Sequence, residues 1–257
     1  AAARRVELAD VEATLKFAVI SLIILPLLPN AAFGPPPLDV INPYKIWLMV
    51  VLIAGLNFLG YVLVKVFGSE HGLVVTGILG GLVSSTAVTL SFSQRSRQEP
   101  AMSSAFVLAI VVAWTIMFLR VVVIVGMVSR SLAGDLALAL GLMAGAGLLV
   151  SLVLWQRTRF HGKGVVTAGP NPFELGEAIK FGLLFGVVTV VAKAAEVYLG
   201  ETGLYIAGAV AGLTDVDAIS LSMANLAAAE PASLTIAART IVIAVVSNTL
   251  TKTGMAV

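Results

Sequence analysis

The sequence contains no cysteine, two histidines and few charges: 16 basic and 14 acidic side chains among 257 residues. Without thiols there is no disulfide framework and no thiolate metal site. The two histidines, His71 and His161, sit in loops without a partner at ligand spacing, so no histidine-built metal centre is expected. A net charge of +2, with its basic residues in loops, gives nucleic acid nothing to grip. Also missing are GxxxxGK[ST], GxGxxG opening a helix, HExxH and GxSxG, and no loop is large enough to house an ATPase. An enzyme is therefore not expected, and no cofactor is called for. A hydrolase built on a pair of membrane aspartates finds no known catalytic spacing here. There is no secretory signal pattern, because acidic residues follow the Arg4-Arg5 pair directly. The chain has no initiator methionine and stops inside an apolar run, as a segment of a longer protein would.

What is present is apolar. Hydrophobic residues make up 59% of the chain, and the mean hydropathy is +1.02. A water-soluble domain cannot hide that much apolar surface, whereas a multi-pass membrane protein turns it towards lipid. Eight apolar runs, at about 13–29, 46–67, 72–93, 102–128, 133–155, 177–198, 203–226 and 233–257, approach or exceed the ~20 residues that cross a hydrocarbon core of about 30 Å. Helices are predicted throughout, since a lone strand in lipid leaves its backbone unsatisfied. The expected class is an all-α polytopic membrane protein with about eight transmembrane helices.

The runs repeat. FGSEHGLVVTGILGGLVSSTAVTLSFSQRSRQEP aligns without gaps on LGETGLYIAGAVAGLTDVDAISLSMANLAAAEP at one offset of 131 (201 − 70 for the glutamates, 231 − 100 for the prolines). Gly77 and Gly81 fall on Gly208 and Gly212, and INPYK at 41–45 resembles PNPFE at 170–174. Two four-helix repeats follow, 1–131 and 132–257, related by a pseudo-two-fold axis. Span lengths of about 22 residues favour four full crossings per repeat, hence parallel halves. If the third and seventh spans dipped in and returned, the halves would be inverted, the commoner plan in transporters. Under full crossing the loop charges divide almost evenly, with Lys45, Arg95, Arg97, Arg157, Arg159 and Lys163 on one side and Arg4, Arg5, Lys65, Arg130 and Lys193 on the other. The first set is denser in short loops, which by a narrow margin points to a cytoplasmic first set and an amino end outside.

Polar residues inside these spans are the candidate site. Asp215 lies 12 residues beyond Gly203, about 18 Å along a helix and near the midplane. Its repeat partner is Ser84. One repeat thus brings Ser84, Ser85, Thr86 and Thr89 to that depth, and the other brings Thr214, Asp215, Asp217 and Ser220. A central aspartate costs on the order of 2.5–3.5 kcal/mol on insertion scales, so two need an offset. Arg120 and Lys252 are the candidate counter-charges, and Asn248 and Asn57 are further hydrogen-bonding groups. On an unbroken helix the two aspartates would diverge by about 200°. They converge if spans three and seven are broken at the midplane, where glycines precede the good N-cap residues Ser84 and Asp215.

Each feature also has a structural explanation. Asp215 can serve only as an N-cap, and Arg120 and Lys252 only as counter-charges, or they snorkel to an interface. Serine and threonine more often join helices than bind ligands. The pairs Gly77/Gly81, Gly208/Gly212, Gly141/Gly145 and Gly182/Gly186 read as close-packing faces, and a homodimer is expected from them. Lys193 and Glu196 form an interfacial pair.

GGLVSSTAVTLSFSQRSR, NPFELGEAIKFG, GLTDVDAISLSMANLA and SNTLTKTGMAV together resemble a bacterial membrane family of unknown function (domain of unknown function 4010) that often follows an MgtC/SapB domain. The resemblance covers essentially the whole chain. It implies a multi-pass protein of the bacterial or archaeal cytoplasmic (inner) membrane, without the MgtC-like part, and suggests a link to ion homeostasis. The site argument leads to a secondary transporter or channel for a small cation of the Mg²⁺, Na⁺ or H⁺ class. Asp215 and Asp217 would be its ligands, with neutral oxygens from Ser84, Ser85, Thr86, Thr89, Thr214, Ser220 and Asn248. Two alternatives stay open: an anion transporter using Arg120 and Lys252, and a non-transporting module that regulates a partner complex.

Overall fold

A computed structural model describes residues 8–35, 37–67, 73–157 and 175–256. Arg4, Arg5, Glu70, His71, Arg159, His161, Lys163 and the 170–174 motif lie outside the described residues, as do the side chains of Asn57 and Lys65. Among the described residues all regular structure is helical, with no strand.

The first apolar run is α1 (Leu8–Ala18), a π-turn (Val19–Ile24) and α2 (Leu25–Leu27). Pro26 explains the irregularity: it lacks a donor and its ring crowds the carbonyl four residues earlier. Ile20, inside the π-turn, uses its carbonyl to accept the Trp47 indole N–H at 2.9 Å. There follow α3 (Pro43–Phe67), α4 (Leu73–Gln98), α5 (Ser103–Val128), α6 (Arg130–Arg157), α7 (Leu175–Thr214), α8 (Val216–Ala229) and α9 (Leu234–Ala256). Five stretches are long and apolar enough to cross a membrane: Leu73–Gln98, Pro100–Val128, Arg130–Arg157, Ile179–Thr214 and Pro231–Ala256. Large apolar side chains cover the outside, with Leu138 74% and Leu183 71% exposed, which suits a surface bathed by lipid rather than water.

The helical path is interrupted at three points. Ser84, inside α4, is extended (φ −161°, ψ 105°). Asp215 (φ −151°, ψ 139°) separates α7 from α8. Gly200, inside α7, has φ 61° and ψ −146°, a left-handed conformation that glycine adopts at no steric cost.

Contacts fix the direction of each arm. In the first arm of α4 (73–83), a Cβ on Gly77 would lie 3.0 Å from the Ala109 Cα, and one on Gly81 would lie 2.8 Å from the Ala113 Cα. Both numbers rise together, so this arm runs alongside α5 in the same sense. The second arm (85–98) runs against α5. The Trp114 indole donates to Thr89 Oγ1 at 2.9 Å, Phe92 stacks on Phe106 at 5.4 Å, and Ser103 Oγ donates to the Ser96 carbonyl at 3.3 Å. The two arms therefore run in opposite directions. Gly80 and Val88 confirm the fold-back: a Cβ on Gly80 would come within 2.5 Å of Val88 Cγ2. Residues eight apart on a straight helix are separated by about 12 Å of rise.

The later segment behaves alike. Chain direction reverses at Gly200, where a Cβ on Gly203 would meet the backbone of Ala195. The arm 201–214 then runs along α9 in the same sense, with Gly208 against Thr240 and Gly212 against Ala244. After Asp215, α8 returns to a short 3-10 turn, Pro231–Ser233, that leads into α9. Every residue from Val216 to Ala224 is buried, so α8 is the most enclosed segment among the described residues. Its apolar neighbours come from α5, α6 and α9 on one side and from α3 and α7 on the other.

Candidate functional site

Two chain reversals, at Ser84 and at Asp215, supply the site. Each is capped by its own side chain. Ser84 Oγ accepts from the Ala87 N–H at 3.2 Å, and Asp215 Oδ1 accepts from the Asp217 N–H at 3.2 Å. Both are N-caps for the arm that follows, a role that suits serine and aspartate. The arms that end at these reversals leave carbonyls without helical partners, and buried donors take them. Arg120 Nη1 donates to the carbonyls of Leu82 and Val83 at 2.9 and 3.0 Å. Asn248 Nδ2 donates to the Gly212 carbonyl at 2.8 Å.

Charged side chains tie the two reversals together. Arg120 Nη2 pairs with Asp217 Oδ2, and both side chains are about nine-tenths buried. Arg120, from the first half of the chain, thus holds the ends of both segments. Lys252, from the second half, reaches back: its Nζ donates to Ser85 Oγ at 2.8 Å and lies 2.9 Å from Met117 Sδ. Lys252 is 3% exposed and pairs with no carboxylate among the described residues. Asp215 is half-buried and has no ion-pair partner among them. Two cations and two carboxylates thus form a formally neutral cluster, with one pair closed and one pair apart. A buried ion pair is stable only while both members are present.

Three buried polar atoms on the residues of this cluster and its flanks have no hydrogen-bond partner among the described residues: Ser220 Oγ, Asn248 Oδ1 and Arg120 Nε. Ser220 is three residues beyond Asp217, hence on the same face of α8. Asn248 is four residues before Lys252 on α9. An unsatisfied buried acceptor costs roughly 1–3 kcal/mol, so such atoms need a reason.

Not every candidate joins the cluster. Thr89 is buried, but its hydroxyl donates to the Ser85 carbonyl at 2.8 Å and accepts from Trp114. Thr214 is exposed and donates to the Ala211 carbonyl at 2.9 Å. Thr86 is half-buried. Among the described residues no group of three or more His, Cys, Asp or Glu could hold a metal ion, so any cation here would rely on two carboxylates and neutral oxygens. Met117 and the carbonyls of Leu82 and Val83 are contributors that the sequence did not single out. Backbone carbonyls carry no sequence signal, and Met117 sits in an apolar run like any core methionine.

Residues 51–257 match the domain of unknown function DUF4010, and the chain belongs to that family. An uncharacterized protein of Aquifex aeolicus (strain VF5) is 32% identical over 186 residues, covering 72% of this chain and 81% of that protein. No solved structure matches.

Proposed function

We propose that the protein is a secondary transporter for a small cation, built from two repeats (1–131 and 132–257), with its site at the membrane midplane where the two helix breaks meet. The supporting observation is two buried oxygens without a hydrogen-bond partner among the described residues, Ser220 Oγ and Asn248 Oδ1, together with Asp215, which closes no ion pair among them. Buried oxygens that lack donors are satisfied by a cation or by water. Oxygen-only ligands suit hard ions of the Mg²⁺, Na⁺ or H⁺ class. The repeat reading is supported by packing at the sequence offset: Gly77 meets Ala109 and Gly208 meets Thr240, Gly81 meets Ala113 and Gly212 meets Ala244. A place in a bacterial inner membrane behind an MgtC/SapB domain belongs to the same proposal. So does a homodimer through α6, where Gly141 and Gly145 meet nothing within 4 Å.

Asp215→Asn is the deciding variant. Asparagine caps a helix as well as aspartate does, so the break survives while the charge is lost. Flux of Na⁺, Mg²⁺ and protons into proteoliposomes should fall to background for the transported ion. Unchanged flux in a folded variant removes Asp215 from the path. A second reading, anion transport, draws on Lys252, which is buried and closes no ion pair with a carboxylate among the described residues. Lys252→Gln would then abolish uptake of an anion that Asp215→Asn still carries.

A further inference from the structure

We propose that α4 and the segment 201–229, the part of α7 after Gly200 with α8, are re-entrant hairpins that enter from opposite faces of the membrane, so that the chain crosses six times and its two halves are inverted. The arms supply the first argument. The first arm of α4 runs with α5 and the second against it. A segment that doubles back on itself returns to the face it came from. The arm 201–214 likewise runs with α9, after a reversal at Gly200, and α8 returns to the turn that starts α9.

Length is the second argument. The arms 73–83, 85–98, 201–214 and 216–229 hold 11 to 14 residues each, about 16–21 Å of helix. That reaches the middle of a 30 Å hydrocarbon core from one face and stops there. The reversals carry Ser84, Ser85, Asp215 and Asp217, and polar backbone at that depth is tolerated only where protein or a cavity surrounds it. Arg120 and Asn248 fill that need by taking the free carbonyls.

Charge is the third, and it is independent of the contacts. Of the 16 basic residues, Arg120 and Lys252 lie within the cluster, which leaves 14. With eight crossings these divide eight to six between the faces. With two re-entrant hairpins only Lys45, Arg130, Lys193 and Arg239 fall on one face, and the other ten, including Arg95, Arg97 and Arg157, share the face of the amino end. A bias of ten to four is what the positive-inside rule expects. The amino end, the carboxyl end and the mouth of α4 are therefore cytoplasmic. The mouth of the second hairpin opens outside. Each hairpin closes the central cluster towards its own face, and Arg120 and Lys252 bridge the two.

The inference rests on the chain spanning a membrane but not on transport, so flux and topology fail separately. These 257 residues contain no cysteine, and single Ala32→Cys, Ala101→Cys, Thr202→Cys and Ala232→Cys variants of the chain, all at exposed positions, can be read with a membrane-impermeant maleimide. In intact cells Ala32→Cys, Thr202→Cys and Ala232→Cys should label at least tenfold more than Ala101→Cys, which should label only after permeabilisation. Labelling of Thr202→Cys and Ala232→Cys from opposite faces, or of Ala32→Cys and Ala101→Cys from the same face, means eight crossings and overturns the hairpins. The mirror-image pattern overturns the assigned cytoplasmic face. Equal labelling of all four before and after permeabilisation overturns the membrane reading itself.

Discussion

The two reversals share a backbone and differ in charge. At LVSSTAVT a serine caps the second arm, and at LTDVDAIS an aspartate does so with a second aspartate two residues on. Both are preceded by an arm whose glycines meet a parallel helix at equivalent positions. The neutral version forms without a carboxylate, so the break does not require Asp215 or Asp217 to carry charge. The acids are an addition to one of two equivalent reversals, and the arginine that neutralises one of them comes from the other half of the chain.

The sharpest way to break that comparison is to remove one member of the buried pair. Asp217→Asn leaves the Arg120 guanidinium buried without a counter-charge, and arginine cannot shed its proton. A loss of about 3–5 kcal/mol is expected, read as a fall in thermal stability in detergent. Arg120→Met strands Asp217 in the same way, and also uncovers the Leu82 and Val83 carbonyls, but aspartate can take up a proton, so its loss should be smaller near neutral pH. The double variant Arg120→Met/Asp217→Leu should recover much of the stability. No recovery would mean that the carbonyl bonds, rather than the ion pair, hold the two reversals. Asp215 is the cleaner probe of transport, because it closes no ion pair among the described residues and can be neutralised without stranding a partner.

Much of this layout is legible in the sequence. The helices fall close to the apolar runs, because hydropathy and length respond directly to burial in lipid or core. α5 begins at Ser103, where the fourth run was expected at 102, and α9 at Leu234 against 233. The fold-back of α4 was not legible. LVVTGILGGLVSSTAVTLSFSQRSRQ has the length and hydropathy of a full span, and neither property records direction. Only pairings such as Gly77 with Ala109 and Thr89 with Trp114 do so, and these join residues 25 to 32 positions apart. Arg120 pairs with Asp217, and Lys252 reaches Ser85. Which cation meets which carboxylate depends on side-chain reach across the two halves, which no spacing encodes.

A milder test acts on the shared scaffold. Gly81→Leu and Gly212→Leu each push a side chain against the backbone of a parallel helix, Ala113 in one case and Ala244 in the other. Overpacking costs typically about 1–3 kcal/mol, and the two losses should be similar if the reversals are equivalent. A much larger loss at Gly212 would mean that the charged reversal tolerates less movement than the neutral one. Gly141→Leu, which meets nothing within 4 Å, should leave unfolding unchanged. A shift in its oligomeric state by light scattering would assign that face to a second copy.

The smallest effect separates backbone from charge. Ser84→Ala and Asp215→Ala each delete one cap bond of 3.2 Å, which costs about 1 kcal/mol, within a range of roughly 0.5–2. If each side chain is only a cap, the two losses match and Asp215→Asn costs almost nothing in any assay. If Asp215 also serves an ion, Asp215→Asn retains stability while flux disappears. Ser84→Asp completes the square. Aspartate caps as serine does, so stability in the folded protein should change by less than about 0.5 kcal/mol from capping alone, and any larger change reports the field of the central cluster at the neutral reversal. A gain would mean that Lys252, bonded there to Ser85, accepts a nearby carboxylate. A loss would mean that Asp215 and Asp217 already supply all the negative charge the cluster holds.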